Sequence, residues 1–448
     1  MRLPQAPVLD TAPLEQDARL LRRAHHVLAF LVHFYVHSIP PHLHQQSGEI
    51  LIPKALAVPL YVVSNKLGIA PVLTFADTVL WNFAIIDPSQ PLTRTNIRPL
   101  TLFTGGPDEW SFYGCCAEIE LRGVEALRSI ADCQDVLLHA RQKQFQQQQH
   151  HSPMVSVEEL LAPHDLKKVA TSLESVALVI DDLTTILQSV RSICDPYAFY
   201  TAVRPWFRGS DASGPESPQW VFEGVDHSHQ QLELSGPSAG QSSIIHTLDA
   251  FLQVDHNATP STTTPTTPPT SSSKPPASCP HASRLLHQKT QEQQQIPNSL
   301  NGQFMTRMRK YMPGSHQAFL ALIDRSSSPS PAYSLPSSVR DLAAQYPAQL
   351  HEPYNAAVMA LKKFRDLHIK IACLYIVTQS RKAAGHGATA GAGAESMTMM
   401  PSACPMMAKR DRERQPIRGT GGNELASLLK ACRDATTRAL LPQPQTSS

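Results

Sequence analysis

Charge is scarce in this chain and almost cancels. Lysine plus arginine number 39 and aspartate plus glutamate 37, so charged residues make up 17% and the net charge is +2. That leaves no electrostatic footprint for nucleic acid or for an anionic membrane, and neither is expected as a partner. The eight cysteines form no CxxC pair and follow no regular spacing, and Cys115 and Cys116 are neighbours. Such cysteines suit free or buried thiols in a reducing compartment and argue against a disulfide framework. The opening "MRLPQAPVLDTAPLEQDARLLRRAHH" has no apolar core of signal-peptide type. The run "VLAFLVHFYV" is too short to span a bilayer and contains His33. A cytoplasmic protein is therefore expected, and the sequon at Asn257 carries little weight. There is no HExxH pair, zinc-finger pairing, P-loop or dinucleotide fingerprint. With 20 histidines in the chain, the clusters "HHVLAFLVHFYVHSIPPHLH" and "DHSH" (Asp226 to His229) give a bare metal site little support.

Strand signals are missing as well; helical periodicity takes their place. Val169, Leu173, Val176, Ile180, Leu183, Leu187 and Val190 alternate spacings of four and three, an apolar stripe down one long helix. "AFYTAVRPWFRG" reads as a helix stopped by Pro205 and Gly209. "SSIIHTLDAFLQVDH" and "GQFMTRMRKYMPGSHQAFLALI" read as amphipathic helices, the second interrupted at Pro313. The fold class is all-α, and the length allows two or three domains. Three segments lack the composition of a packed core: the tract "QKQFQQQQHH" (142–151), a Pro/Thr/Ser/Gln-rich insertion at 258–294, and a Gly/Ala/Ser-rich stretch at 380–422. The last ends in Gly419-Thr420-Gly421-Gly422 and reads as a linker or as a lid.

Two stretches invite a chemical reading. In "NAAVMALKKFRDLHIKIACLYIVTQS" (Asn355 to Ser380), Leu361, Phe364, Ile371, Ala372 and Tyr375 share a helical face with His368. An imidazole on an apolar face needs a hydrogen bond or a metal, and a core histidine bonded to a carbonyl or a water is the commoner case. In "PSAGQSS" (Pro237 to Ser243) small residues precede a helix, so backbone amides can approach a flat or anionic ligand closely. A plain turn fits those residues equally well.

Seven blocks, in one consistent order, add what the periodicities cannot. "IPKALAVPLYVVSNKLGIAPVLTFADTVLWNF", "FYGCCAEIELRG", "DPYAFYTAVRPWFRG", "GPSAGQSSIIHTLDAFL", "MRKYMPGSHQAFLALI", "ALKKFRDLHIKIACLYI" and "GTGGNELASLLKACRDATTRAL" together resemble the indoleamine 2,3-dioxygenase family in its fungal form. The resemblance implies a smaller N-terminal helical domain, residues 1–104, packed on a larger helical haem domain, residues 105–448. It implies haem b as cofactor, L-tryptophan and O2 as substrates, N-formylkynurenine as product on the kynurenine route toward NAD, and a monomer. It makes His368 the proximal iron ligand, Arg365 the partner of a haem propionate, and Asp249 the carboxylate holding that arginine. Phe112 and Cys116 become the catalytic-pocket residues, Cys116 standing where serine is usual. Phe199, Arg204 and Thr420 become substrate contacts, and Ser238 and Ala239 the loop at the cofactor's edge. Five positions apart, Phe199 and Arg204 would not share a face of an ideal helix. Pro205 disfavours α geometry at Arg204, so the chain is expected to leave the helix there and turn the guanidinium inward. Phe75, Thr78, Pro237 and Asn423 depart from the usual pocket residues. Family members carry helices before the block near Ala18, so a reduced small domain or a truncated chain is expected. The competing reading is a haem-binding sensor of the same family without useful catalysis.

Overall fold

Asp17 starts the first long helix. Its carboxylate accepts from the amides of Arg19 at 2.7 Å and Leu20 at 3.2 Å, two donors that a helix start leaves without partners. Helix α1 follows over Ala18–Ser38. The computed structural model describes residues 6–40, 48–149, 161–211, 217–226, 232–257, 297–326, 336–389, 417–420 and 422–443. Strand β1 (Glu49–Ile52) leads into α2 (Lys54–Leu67), which closes on Gly68 at φ 63°, a left-handed conformation that costs glycine little. Strands β2 (Phe83–Ile85) and β3 (Ile97–Pro99) pair antiparallel, with Phe83 opposite Pro99. The long helices α3 (Pro107–Gln149) and α4 (Pro163–Ile193) come next, and β4 (Gln219–Phe222) returns to pair parallel with β1, Gln219 opposite Glu49. Then follow α5 (Ser243–Phe251), α6 (Pro297–Arg309), α7 (Gly314–Ser326), α8 (Val339–Gln345), α9 (Pro347–Ala372), α10 (Thr378–Thr389) and α11 (Leu425–Arg438). The fold is all-α, and its short strands form only two-stranded pairs.

The stripe read from the sequence does what its period demands. Val169, Leu173, Val176, Ile180 and Leu183 are fully or almost fully buried, and α4 packs between α3 and α9. Each such side chain contributes about 1.5–3 kcal/mol on leaving water. This cluster takes in Phe199, Phe207, Leu248, Tyr354, Leu361, Phe364 and Tyr375. A second cluster joins α1, α2, β1 and β4 with Leu234, Phe304, Met308 and Leu428 from the later chain. Trp206 packs against both.

Four local expectations change. The Gln-rich tract is helical as far as Gln149, because glutamine is a good helix former and Gln144 is buried. The stretch expected to form a lid from 380 begins as helix, α10 reaching Thr389, with Gln379, Arg381, Lys382 and Ala383 all favouring that state. Residues 390–416 of it and the insertion at 258–294 lie outside the described residues. Helix α5 stops at Phe251, earlier than its apolar pattern, because Gln253 takes φ 53° and the Val254 amide bonds back to Asp249 O at 2.9 Å. The fourth change concerns Arg204.

Candidate functional site

Three π turns, Ala76–Leu80, Phe199–Val203 and Cys373–Val377, border one cavity. Such turns break the regular helical ladder and occur often at functional sites. Thr78 and Val79 line the cavity from the first, Phe199 and Arg204 from the second, Tyr375 and Ile376 from the third. The cavity holds about 260 Å³, counted at the centre of a water molecule, and its walls are mostly apolar.

The second π turn explains how Arg204 reaches this space. The chain does not leave helical geometry at Arg204, whose φ is −56° and ψ −34°. Its amide bonds to the Phe199 carbonyl, so five residues close one turn instead of four. In an α-helix residues five apart point about 140° apart, whereas the wider turn brings the fifth nearly beneath the first. Pro205 then sits inside a 3₁₀ turn, Arg204–Phe207, where its lack of an N–H is tolerated. The Arg204 guanidinium donates through Nη2 to the Arg418 carbonyl at 2.7 Å and lies 5.6 Å from the Tyr200 ring centre. Its Nε is buried with no partner among the described residues. Burial, and then the Arg208 charge, lower its pKa, yet an arginine stays charged. The result is a cation with no carboxylate facing an apolar cavity.

Aromatic rings surround it. Phe112 and Phe199 lie 4.5 Å apart between centroids, and Phe199 meets Tyr375 edge-on at 5.7 Å. The Tyr375 hydroxyl donates to the carbonyls of Val190 at 3.0 Å and Cys194 at 2.6 Å, which fixes that ring. Cys116 lines the wall beside them, and burial raises its thiol pKa well above the ordinary value, so it stays protonated. Ser238 accepts from the Gly240 amide at 3.2 Å and caps a 3₁₀ turn that contains Ala239. The letters Gly236-Pro237-Ser238-Ala239-Gly240 match G-x-S-x-G, but among the described residues no histidine bonds the hydroxyl and no strand runs directly into the loop, so the context of a nucleophile elbow is missing there. Thr420 donates to the Pro237 carbonyl at 2.7 Å, which pins the 417–420 segment to the same loop.

Helix α9 supplies the remaining chemistry. His368 faces the cavity with Phe364, Ile371 and Ala372, while Leu361 turns into the core. Burial, then repulsion from Arg365, lower its pKa to about 4, so the imidazole is neutral. Among the described residues neither ring nitrogen has a hydrogen-bond partner. One turn earlier, buried Arg365 also lines the cavity and donates through Nη2 to both carboxylate oxygens of Asp249 at 2.7 Å. Its Nη1 bonds the Thr436 hydroxyl. Asp249 stands behind Arg365, outside the cavity wall, and takes a third bond from His256 at 2.9 Å. Burial alone would raise the Asp249 carboxyl; Arg365 and His256 overcome it and hold it low. Against the same burial, Asp249 lifts His256 to about 9.

Nine of the ten residues singled out in the sequence thus line one cavity, and the tenth holds the ninth in place. A sequence profile of the indoleamine 2,3-dioxygenase family matches residues 2–439. The chain belongs to that family. It is similar to human indoleamine 2,3-dioxygenase 2, with 28% identity over 94% of this chain and 79% of that one. It is 27% identical to the indoleamine 2,3-dioxygenase of Saccharomyces cerevisiae, over 96% of this chain and 81% of the relative. It is also 27% identical to the 6-hydroxytryptophan 2,3-dioxygenase fscD of Fusarium equiseti, over 97% and 84%.

The positions where this member of the indoleamine 2,3-dioxygenase family departs from the usual pocket residues, Phe75, Thr78, Cys116, Pro237 and Asn423, all line the cavity. Sequence reasoning missed Glu120, Cys432 and His256, and placed Tyr375 on the face of His368 without giving it a role. Glu120 lies in the wall, with its carboxyl raised to about 7 by burial against bonds from Ser242 and the Ile244 amide. Its place on α3, four residues after Cys116, was the available signal. His256 gave none, since α5 ends before reaching it. The α1 histidines make no metal site. His25 bonds Asp77 Oδ1 at 2.7 Å and Ala70 O, and His26 bonds Asp77 O and Thr101. His33 and His37 bond the carbonyls of Trp206 and Arg208. The cluster at 226–229 lies outside the described residues apart from Asp226.

Proposed function

We propose that this chain is a haem-dependent dioxygenase that inserts both atoms of O2 across the C2–C3 bond of the L-tryptophan indole, giving N-formylkynurenine for the kynurenine pathway. One observation carries the haem assignment: a neutral imidazole, His368, without a hydrogen-bond partner among the described residues, faces an apolar cavity one turn from a buried, clamped arginine. Haem b fits these residues. Among the described residues no three histidine, cysteine, aspartate or glutamate side chains gather to hold a bare ion, so His368 would suit a metal that brings its own ring of ligands, as haem does. Arg365 and a protonated His256 share one Asp249, which leaves a buried positive charge for a propionate to oppose. Ser238 and Ala239 offer a small-residue edge with room for a flat ring.

When bound, haem supplies the activation of O2. The chain's residues do the rest. Arg204 holds the tryptophan carboxylate, which in an apolar pocket needs a cation to offset its desolvation. Phe112 and Phe199 pack the indole. Thr420, pinned to the loop of Ser238, closes the pocket near the ammonium group and limits water. Cys116 stays a thiol and so is not itself a base toward the indole. We assign residues 1–104 to the smaller unit and 105–448 to the larger one, as the family resemblance implies; the core of the first also takes in β4 and later residues such as Phe304 and Leu428. We read the protein as cytoplasmic from its cysteine usage and as a monomer from the family resemblance. No described helix is long and apolar enough to cross a membrane.

The test uses purified, haem-loaded, reduced protein with L-tryptophan and ¹⁸O2. N-formylkynurenine carrying two labelled oxygens is expected. Stoichiometric haem with no turnover would establish the sensor reading instead.

A further inference from the structure

The turn that carries Arg204 is short, a single 3₁₀ turn over Arg204–Phe207. It follows a π turn, is only four residues long, and ends on a long bond from the Arg208 amide to Pro205 O at 3.4 Å. The carbonyls of Trp206 and Arg208, at the end of the helical run, have no helical partner. Helix α1 supplies one for each. His33 donates from Nδ1 to Trp206 O at 2.9 Å, and His37 donates from Nε2 to Arg208 O at 3.0 Å. The two histidines are four apart on one helical face, with ring centroids 5.6 Å apart. A rise of about 6 Å over four helical residues matches the spacing of alternate carbonyls on a chain leaving its helix. The Trp206 indole is stacked on Phe103 at 5.0 Å and 8°, so the residue that carries the first of these carbonyls cannot rotate freely. Burial lowers His33 to about 3 and His37 to about 4, so both rings are neutral and each has one N–H to give.

We propose that His33 and His37 are positioning residues for substrate binding: from α1 they fix the backbone of Trp206 and Arg208 and so hold the Arg204 guanidinium where the tryptophan carboxylate meets it. The inference rests on the reading of Arg204 as carboxylate holder. It gives the N-terminal helix a part in recognition, although none of its residues lines the cavity.

The chemistry of the donors sets the test. Asparagine presents an amide N–H where His33 has Nδ1, and glutamine presents one where His37 has Nε2; leucine presents neither. Dissociation constants for L-tryptophan and for tryptamine, which lacks the carboxylate, are read from the absorption change of the haem-loaded protein. His33→Leu and His37→Leu should each weaken tryptophan binding about five- to tenfold, the worth of one lost hydrogen bond, and tryptamine binding less than twofold. His33→Asn and His37→Gln should bind both like the parent. If buried His33→Leu does not fold, the half-buried His37 pair makes the same comparison. Leucine variants that bind tryptophan as the parent does, or that lose both ligands equally, overturn the inference. Arg204→Leu runs alongside. If it weakens tryptophan binding while the histidine variants do not, the positioning role alone is wrong; if it changes nothing, the carboxylate reading has failed and the inference falls with it.

Discussion

Arg204→Leu should separate stability from function in opposite directions. In the structure this guanidinium has one hydrogen bond, to the Arg418 carbonyl, a ring contact with Tyr200 and a buried Nε without a partner among the described residues. Removing it forfeits about 1 kcal/mol for the bond and about 0.5–1 kcal/mol for the ring contact. It also relieves a cation of burial without a counter-charge, a term of the same size and opposite sign. Folding stability should therefore change by no more than about 1 kcal/mol, read as the urea midpoint at unchanged slope. Substrate recognition should suffer far more. A forked pair of charge-assisted bonds to a carboxylate contributes about 3 kcal/mol, so kcat/KM for L-tryptophan should fall about a hundredfold or more, mostly through KM, with the haem spectrum unaltered. Arg204→Lys should recover part of the loss, since a point charge lacks the fork. Tryptamine should be insensitive to both changes. An unchanged KM for tryptophan, or a large loss of stability, would refute the reasoning.

Asp249→Asn leaves Arg365 and His256 buried with no opposing charge, and should cost about 3–5 kcal/mol in urea unfolding of the haem-free protein; a loss below about 1 kcal/mol would show that water reaches the cluster. The same cluster sets a pH window. Asp249 is held below its ordinary 3.8, so its contribution is present above that value and fades as the pH falls. His256 is raised from 6.5 to about 9, so its contribution is complete below 6.5 and is lost as the pH climbs through about 9. The contribution of this cluster should hold near pH 4–6.5 and fade on both sides. In the whole protein the buried neutral His33, His37 and His368, lowered from 6.5 to about 3, 4 and 4, add a fall in melting temperature below pH 6.5. His256→Asn should flatten the alkaline decline specifically. A methyl group at Gly236 would overlap the Phe207 carbonyl oxygen; Gly236→Ala should displace the loop of Pro237 and Ser238 and lower both melting temperature and haem content.

The long amphipathic helices were legible because α4 and α9 keep one apolar face over many turns, and burial of that face is what the fold needs. Irregular backbone was not. The π turn at Phe199–Val203 lies between two tertiary and capping contacts that local residue rules do not see: Asp195 caps the Ala198 amide at 2.8 Å before it, and His33 bonds the Trp206 carbonyl after it. Proline rules applied to "RPWF" alone therefore gave Arg204 the wrong backbone but the right destination. His368 was legible as an oddity, an imidazole on an apolar face, and the blocks around it supplied the meaning. His256 was not legible, since a left-handed Gln253 ends α5 and swings the chain back toward Asp249. The α1 histidines clustered in the sequence without metal-ligand spacing, and what the sequence hid was their partners, the carbonyls and the Asp77 carboxylate.

Resonance Raman spectroscopy of the ferrous protein reports the iron–histidine bond itself. The parent should show that bond with stoichiometric haem, and His368→Ala should lose it together with tight haem retention. His368→Gly given free imidazole should regain it. A histidine-ligated ferrous spectrum at full haem content in His368→Ala would place the axial ligand elsewhere and contradict the assignment on which the site is built.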